Sequence, residues 1–102
     1  GGTVDINKIS DIVPLQFDIK QNYPNPFNPA TKINFMVPKA AFVKITVYDI
    51  LGRQVAVLVN KQITAGEYSA DWNAASFPSG VYFYSLNVNG ENMNTKKMIL
   101  SK

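Results

Sequence analysis

Seven carboxylates, Asp5, Asp11, Asp18, Asp49, Glu67, Asp71 and Glu91, are the acids this sequence offers for chemistry, and it contains no histidine and no cysteine. A Ser-His-Asp or Cys-His nucleophile and a histidine or thiolate zinc site are therefore impossible. The acids fall one or two to a strand or turn, without the loop spacing of a calcium site and without a glycosidase pair. Gly80 and Gly90 stand alone, so there is no glycine-rich phosphate loop. Ten Lys and Arg against seven acids leave a formal charge of +3. These cations are spread along the chain, with Lys96, Lys97 and Lys102 near its end, and no regular interleaving with aromatics, the pattern of a solvated face rather than a nucleic-acid patch. The residue types point to a domain that is not an enzyme and uses no cofactor, metal or nucleic acid.

What remains to be read is the scaffold. At 102 residues the chain is long enough for one core and too short for two. Val, Ile, Thr, Tyr and Phe cluster in short runs, the composition of a globular β-rich domain. The longest apolar run, Val55–Val59, is far below the ~20 residues of a membrane-spanning helix, and Gly1-Gly2-Thr3 is no signal peptide. Without cysteines, an extracellular home would be reached without disulfides.

The scaffold is organised around Ser79–Gly90. Tyr82, Tyr84, Leu86 and Val88 recur at every second position while Phe83, Ser85 and Asn87 take the other face, a period that suits a half-buried strand. Pro78 and Gly80 bar an earlier start, and Asn89-Gly90 tolerates positive φ at both centres of a type I′ turn. The strand must reverse into Asn92–Leu100. Alternation there leaves open whether Met98 and Leu100, or Thr95, Lys97 and Ile99, face inward.

Upstream, Gly1–Pro14 alternates weakly and reads as a linker, with a boundary near Leu15. Leu15, Phe17 and Ile19 predict a first strand with one wet face. In Gln21–Pro29 three prolines bias Tyr23, Asn25 and Asn28 towards extended backbone, giving a stiff loop that joins neither helix nor ladder. Its rings, Tyr23 and Phe27, either plug one end of the core or belong to a rigid epitope read by a partner. Thr31–Val37, Phe42–Asp49 and Arg53–Val59 follow as strands, the last two joined by a turn at Asp49-Ile50-Leu51-Gly52. Ile50 and Leu51 are expected to fold back over the sandwich end rather than form an exposed contact patch. Gly66–Asn73 places Tyr68, Ala70 and Trp72 on one face, with Trp72 read as core in preference to a carbohydrate-stacking platform. Tyr82 stands where a tyrosine corner would bond back to the upstream backbone. The count predicts an all-β, seven-stranded antiparallel immunoglobulin-like β-sandwich.

Four segments in register carry a family resemblance: Gln21–Pro29, Val47–Val55, Phe77–Tyr84 and Lys96–Lys102. They resemble the type A C-terminal sorting domain of the type IX secretion system, from about Phe17 to Lys102, and more distantly the immunoglobulin-like domain of flagellar hook capping proteins. The resemblance implies a signal at the C-terminus of a larger secreted protein, often a hydrolase or adhesin, in a Gram-negative bacterium. The cargo would reach the periplasm by a separate N-terminal signal and be guided through the outer membrane by the secretion machinery. A sortase-like peptidase removes the domain in many members, and the cargo is attached to lipopolysaccharide or released. On this reading residues 1–14 link to the upstream cargo, 15–102 are the sorting domain, and the Gly1-Gly2 start suggests a piece cut from a longer chain.

A translocon that reads a folded module would use features that cost little to order and lie near one another. The candidates are Pro24, Pro26, Phe27 and Pro29 in the loop, Gly80 and Tyr82 at the corner, and Lys96, Lys97 and Lys102 on the closing strand. Rival readings are a carbohydrate-binding module of a secreted enzyme, which needs exposed coplanar rings, and a structural spacer, which needs linkers at both ends.

Overall fold

The computed structural model describes residues 6–102. Gly1–Asp5, the start of the expected linker with the carboxylate of Asp5, lie outside the described residues. Eight strands follow: β1 (Ile6–Ser10), β2 (Asp18–Ile19), β3 (Ala30–Val37), β4 (Ala41–Tyr48), β5 (Gln54–Ile63), β6 (Gly66–Asn73), β7 (Gly80–Val88) and β8 (Glu91–Leu100). They form two four-stranded sheets, ordered β1-β6-β3-β2 and β5-β4-β7-β8, with every named ladder antiparallel.

The sandwich is as expected, but the seven-stranded immunoglobulin-like count is corrected to eight strands, four in each sheet. The additional strand is β1, inside the stretch read as a linker. Its Asn, Lys and Ser look unlike a strand locally, yet an edge strand needs only one partner, and Ile6 pairs with Ala70 and packs against the core. The first predicted strand, by contrast, shrinks to Asp18–Ile19 opposite Met36 and Phe35. Of its expected inward residues Ile19 is buried, Phe17 is half-buried and Leu15 is exposed. β5 runs further than expected, to Ile63, and a bulge opposite Ile45 and Thr46 lets consecutive Leu58 and Val59 both turn inward.

Alternation works as read in the central strand. Tyr82, Tyr84, Leu86 and Val88 are buried between β4 and β8. Asn89 and Gly90 both take positive φ (50° and 87°), as a type I′ turn requires. The register Tyr82↔Met98 and Gly80↔Leu100 then resolves the closing strand: Met98 and Leu100 go in, and Ile99 is left exposed. Facing them across the sandwich are Ile33, Phe35 and Val37 of β3 and Tyr68, Ala70 and Trp72 of β6.

One end of this core is aromatic. Trp72 is 2% exposed, with ring centroids 5.8 Å from Phe27, 5.4 Å from Phe77 and 5.7 Å from Tyr82. Tilted and edge-on arrangements at such distances add to the burial energy of each ring. Truncation leaves a large void beneath three aromatics, so Trp72→Ala should lose about 3–5 kcal/mol of stability by chemical denaturation. Wild-type emission should be that of a water-excluded indole; a solvent-exposed emission maximum would contradict the placement.

Candidate recognition surface

Asn22 begins the site, because the chain must leave β2 and turn across the sandwich end without stranding its polar groups. The Asn22 amide donates to the Tyr84 hydroxyl (2.8 Å), which donates to the Lys20 carbonyl (2.7 Å). The Asn22 side-chain amide reaches the Pro24 carbonyl (3.1 Å) and Thr31 Oγ1 (3.0 Å), and the Thr31 hydroxyl also donates to Pro24 (3.0 Å). Asn22 and Thr31 are both buried, so these bonds replace water that neither could keep. Burial pushes the Tyr84 phenol up to about 12 from its ordinary 10.0, with the bond from the Asn22 amide opposing the rise.

The proline loop then crosses to the other sheet. Tyr23 pairs with Lys32 of β3, donating to its carbonyl (2.9 Å) and accepting from its amide (3.0 Å). The peptide bonds preceding Pro24, Pro26 and Pro29 are cis. Asn25 Oδ1 accepts the Ile99 amide at 3.0 Å. Phe27 lies parallel to Leu100: its amide donates to the Ile99 carbonyl and its carbonyl accepts the Ser101 amide, each at 2.9 Å. Pro29 accepts the Ala74 amide at 2.9 Å. The two rings part company, since Phe27 is the plug and Tyr23 is 80% exposed. Pro24 and Pro26 stay on the surface.

The corner before β7 meets the same edge. The Tyr82 hydroxyl donates to the Pro78 carbonyl at 2.6 Å, four residues upstream, which is the tyrosine-corner bond expected from its position. Burial raises the Tyr82 phenol, and the charge of Asp49 adds to the rise. Lys102 closes the circuit, its amide donating to Ser79 Oγ (3.0 Å) and its ammonium to the Ala75 carbonyl (2.6 Å). The loop prolines, Phe27, Gly80, Tyr82 and Lys102 are thus gathered at one end. Lys96 and Lys97 are not gathered with each other. Adjacent strand residues face opposite ways: Lys97 is exposed on the outer face, while Lys96 lies on the face of Met98 and Leu100, near Asp18. Burial works against ionisation of Asp18, but the Lys20 ammonium, the Ile19 amide and the charge of Lys96 together hold its carboxyl below the ordinary range.

Ile50 and Leu51 correct another expectation: they do not fold back over the sandwich but are 71% and 73% exposed. The Asp49 carboxylate accepts the Leu51 amide (2.9 Å), the Arg53 amide (3.0 Å) and Arg53 Nε (2.7 Å), so the turn is held by its own acid and leaves both side chains outside. Burial of Asp49 opposes its ionisation, and these bonds outweigh it, lowering its pKa. Beside them an open groove of about 400 Å³ runs past Val55, Phe77 and Gly80 to Tyr82. Among the described residues, no group of three or more His, Cys, Asp or Glu is placed to hold a metal ion. Asn22, Asn25, Thr31 and the Tyr84 hydroxyl are not among the candidates that the sequence supplies. A phenol in the middle of an inward-facing apolar row needs a partner, and that was the available signal.

A family model described as a secretion system C-terminal sorting domain matches residues 21–101. The chain belongs to that family. No curated protein and no solved structure matches it. The match starts at Gln21, just after β2, and stops at Ser101, so the two segments joined at Phe27 stand at its two ends. A sorting domain of this type IX secretion family is in general not catalytic and serves protein transport.

Neutral Tyr84 can donate to Lys20; its phenolate cannot. Because its folded pKa lies above the ordinary 10.0, at about 12, its contribution is complete below pH 10 and is lost as pH rises through about 12. Tyr84→Phe should cost about 1–3 kcal/mol near neutral pH by leaving the Asn22 amide and Lys20 carbonyl unpaired. Urea denaturation across the alkaline range should also show a shallower decline for the variant than for the wild type.

Proposed function

We propose that this domain is the export signal of a larger cargo protein and that the secretion machinery reads it folded, at the end where the proline loop, the Gly80 corner and the closing strand meet. The observation that carries the reading is the family match over residues 21–101, whose terminal segments are hydrogen-bonded to one another through Phe27, Ile99 and Ser101. The cargo, a secreted hydrolase or adhesin, passes through the periplasm and outer membrane of a Gram-negative bacterium to the surface or medium. A sortase-like peptidase then separates it from the domain and attaches it to lipopolysaccharide or releases it. Pro24, Pro26, Phe27, Pro29, Gly80, Tyr82, Lys96, Lys97 and Lys102 form the recognition set. Phe27 and Tyr82 act by shaping the surface from within, because both are buried. The carbohydrate-binding alternative loses its platform, since Trp72 lies beneath three other rings.

Fusion of the domain to an inert periplasmic reporter, in a host that has the machinery, tests the reading. The wild-type fusion should reach the surface or medium, and the reporter alone should stay in the periplasm. Deleting Lys97–Lys102 should block export, but it also removes buried Met98 and Leu100. The cleaner probe is Lys96→Ala/Lys97→Ala. It should weaken export; at exposed Lys97 the lost charge should alter thermal stability by only roughly 0–1 kcal/mol, and any larger loss should come from half-buried Lys96 beside Asp18. Undiminished export of the pair would remove the lysines from the recognition set, and a wild-type fusion retained in the periplasm would overturn the function.

A further inference from the structure

β6 is held in place without help from β1. All eight of its residues pair with β3, from Val37↔Gly66 to Ala30↔Asn73, and Tyr68, Ala70 and Trp72 are buried. β1 adds little to that. It pairs with β6 alone, its register breaks between Lys8 and Ser10, and Asn7, Lys8 and Ile9 are exposed. Only two of its side chains meet the inner face of β6. Ile6 lies opposite Ala70 and against the core; Lys8 lies opposite Tyr68, its ammonium 5.9 Å from the ring centroid and 2.6 Å from Asp11 Oδ1.

The seat for this strand is specific. A Cβ on Gly66 would stand 2.9 Å from the Ser10 carbonyl oxygen, closer than backbone tolerates, and 2.7 Å from Lys8 Cε, which can swing aside, so the close fit is to the backbone of β1. The segment that follows, residues 11–17, joins no strand and exposes Ile12, Val13 and Leu15, so β1 can leave without dragging β2 from β3. β1 also lies outside the matched residues 21–101.

We propose that the outer edge of β6 is a strand-acceptor site, occupied in cis by β1 and able to take in trans an extended peptide with an apolar residue opposite Ala70 and a lysine or arginine opposite Tyr68. Main-chain bonds to the bare edge supply the affinity, and the Ala70 and Tyr68 positions supply the selection. The tethered β1 competes at an effective concentration of order millimolar, so a partner enters only when β1 is weakened or pulled away.

The test uses the whole chain with Ile6→Asp/Lys8→Glu, which spoils both inner contacts of β1 and leaves β6 untouched. In amide hydrogen exchange, β1–β6 bonds should open in this variant while β3–β6 bonds stay protected. A capped Ile6–Asp11 peptide should then shift the amide resonances of Glu67–Ala70 in the variant and leave the wild type unmoved. The same peptide carrying Lys8→Glu should bind roughly three- to tenfold more weakly. Loss of β3–β6 protection in the variant, an unmoved Glu67–Ala70 segment, or equal responses of wild type and variant would each overturn the proposal.

Discussion

Phe27 is held between Ile99 of the closing strand and Ser101 just beyond it, its amide on the first and its carbonyl on the second, while its ring lies against Trp72. The rest of this end of the sandwich depends on this clasp. β8 is the edge of its sheet, and an edge strand presents unpaired amides and carbonyls to any passing chain. The proline loop covers the last part of that edge, through Asn25 as well as Phe27. The magnitudes show where the hold comes from. Burying a phenylalanine ring is worth about 1.5–3 kcal/mol and each net hydrogen bond about 1. An exposed lysine contributes almost nothing to folding by comparison. Ring and backbone therefore fix the geometry, and the Lys97 side chain is left exposed without a part in it.

A second constraint works from inside. Tyr84 stands in the apolar row of β7, and its hydroxyl serves both Lys20 and Asn22, on the chain leaving the opposite sheet. The central strand of one sheet thus sets the departure angle of the loop that clasps the edge of that same sheet. Asn22 and Thr31 extend the network to Pro24, so the first turn of the loop is satisfied before it reaches the surface. Buried polar groups joined in this way specify one arrangement, since any other would strand them without water.

The parts of the fold that depend on neighbours in sequence could be read from it. The β7 alternation, the Asn89-Gly90 turn and the Tyr82 corner each rest on residues within a few positions, and each is present in the structure. The parts that depend on distant partners could not. Ile6 pairs with Ala70, and nothing in Ile6–Ser10 itself announces a strand. Tyr23 and Phe27 are equivalent rings in a proline loop until β8 bonds to the second and not the first. Alternation alone leaves the inward face of β8 open between Met98 with Leu100 and Ile99 with its neighbours, and the register with Gly80 and Tyr82 decides it. Within the candidate site, Lys102 joins the corner through Ser79 and Ala75, whereas the run Lys96-Lys97 is divided between two faces by the strand period.

The clasp is open to one direct measurement, native-state hydrogen exchange at the Phe27 and Ser101 amides, both of which bond across it. If the loop and the closing strand form one unit with the core, these amides should exchange only through the global opening that also frees the Tyr84 amide in the central strand. Exchange at Phe27 and Ser101 through a lower-energy local opening, with Tyr84 still protected, would contradict the account.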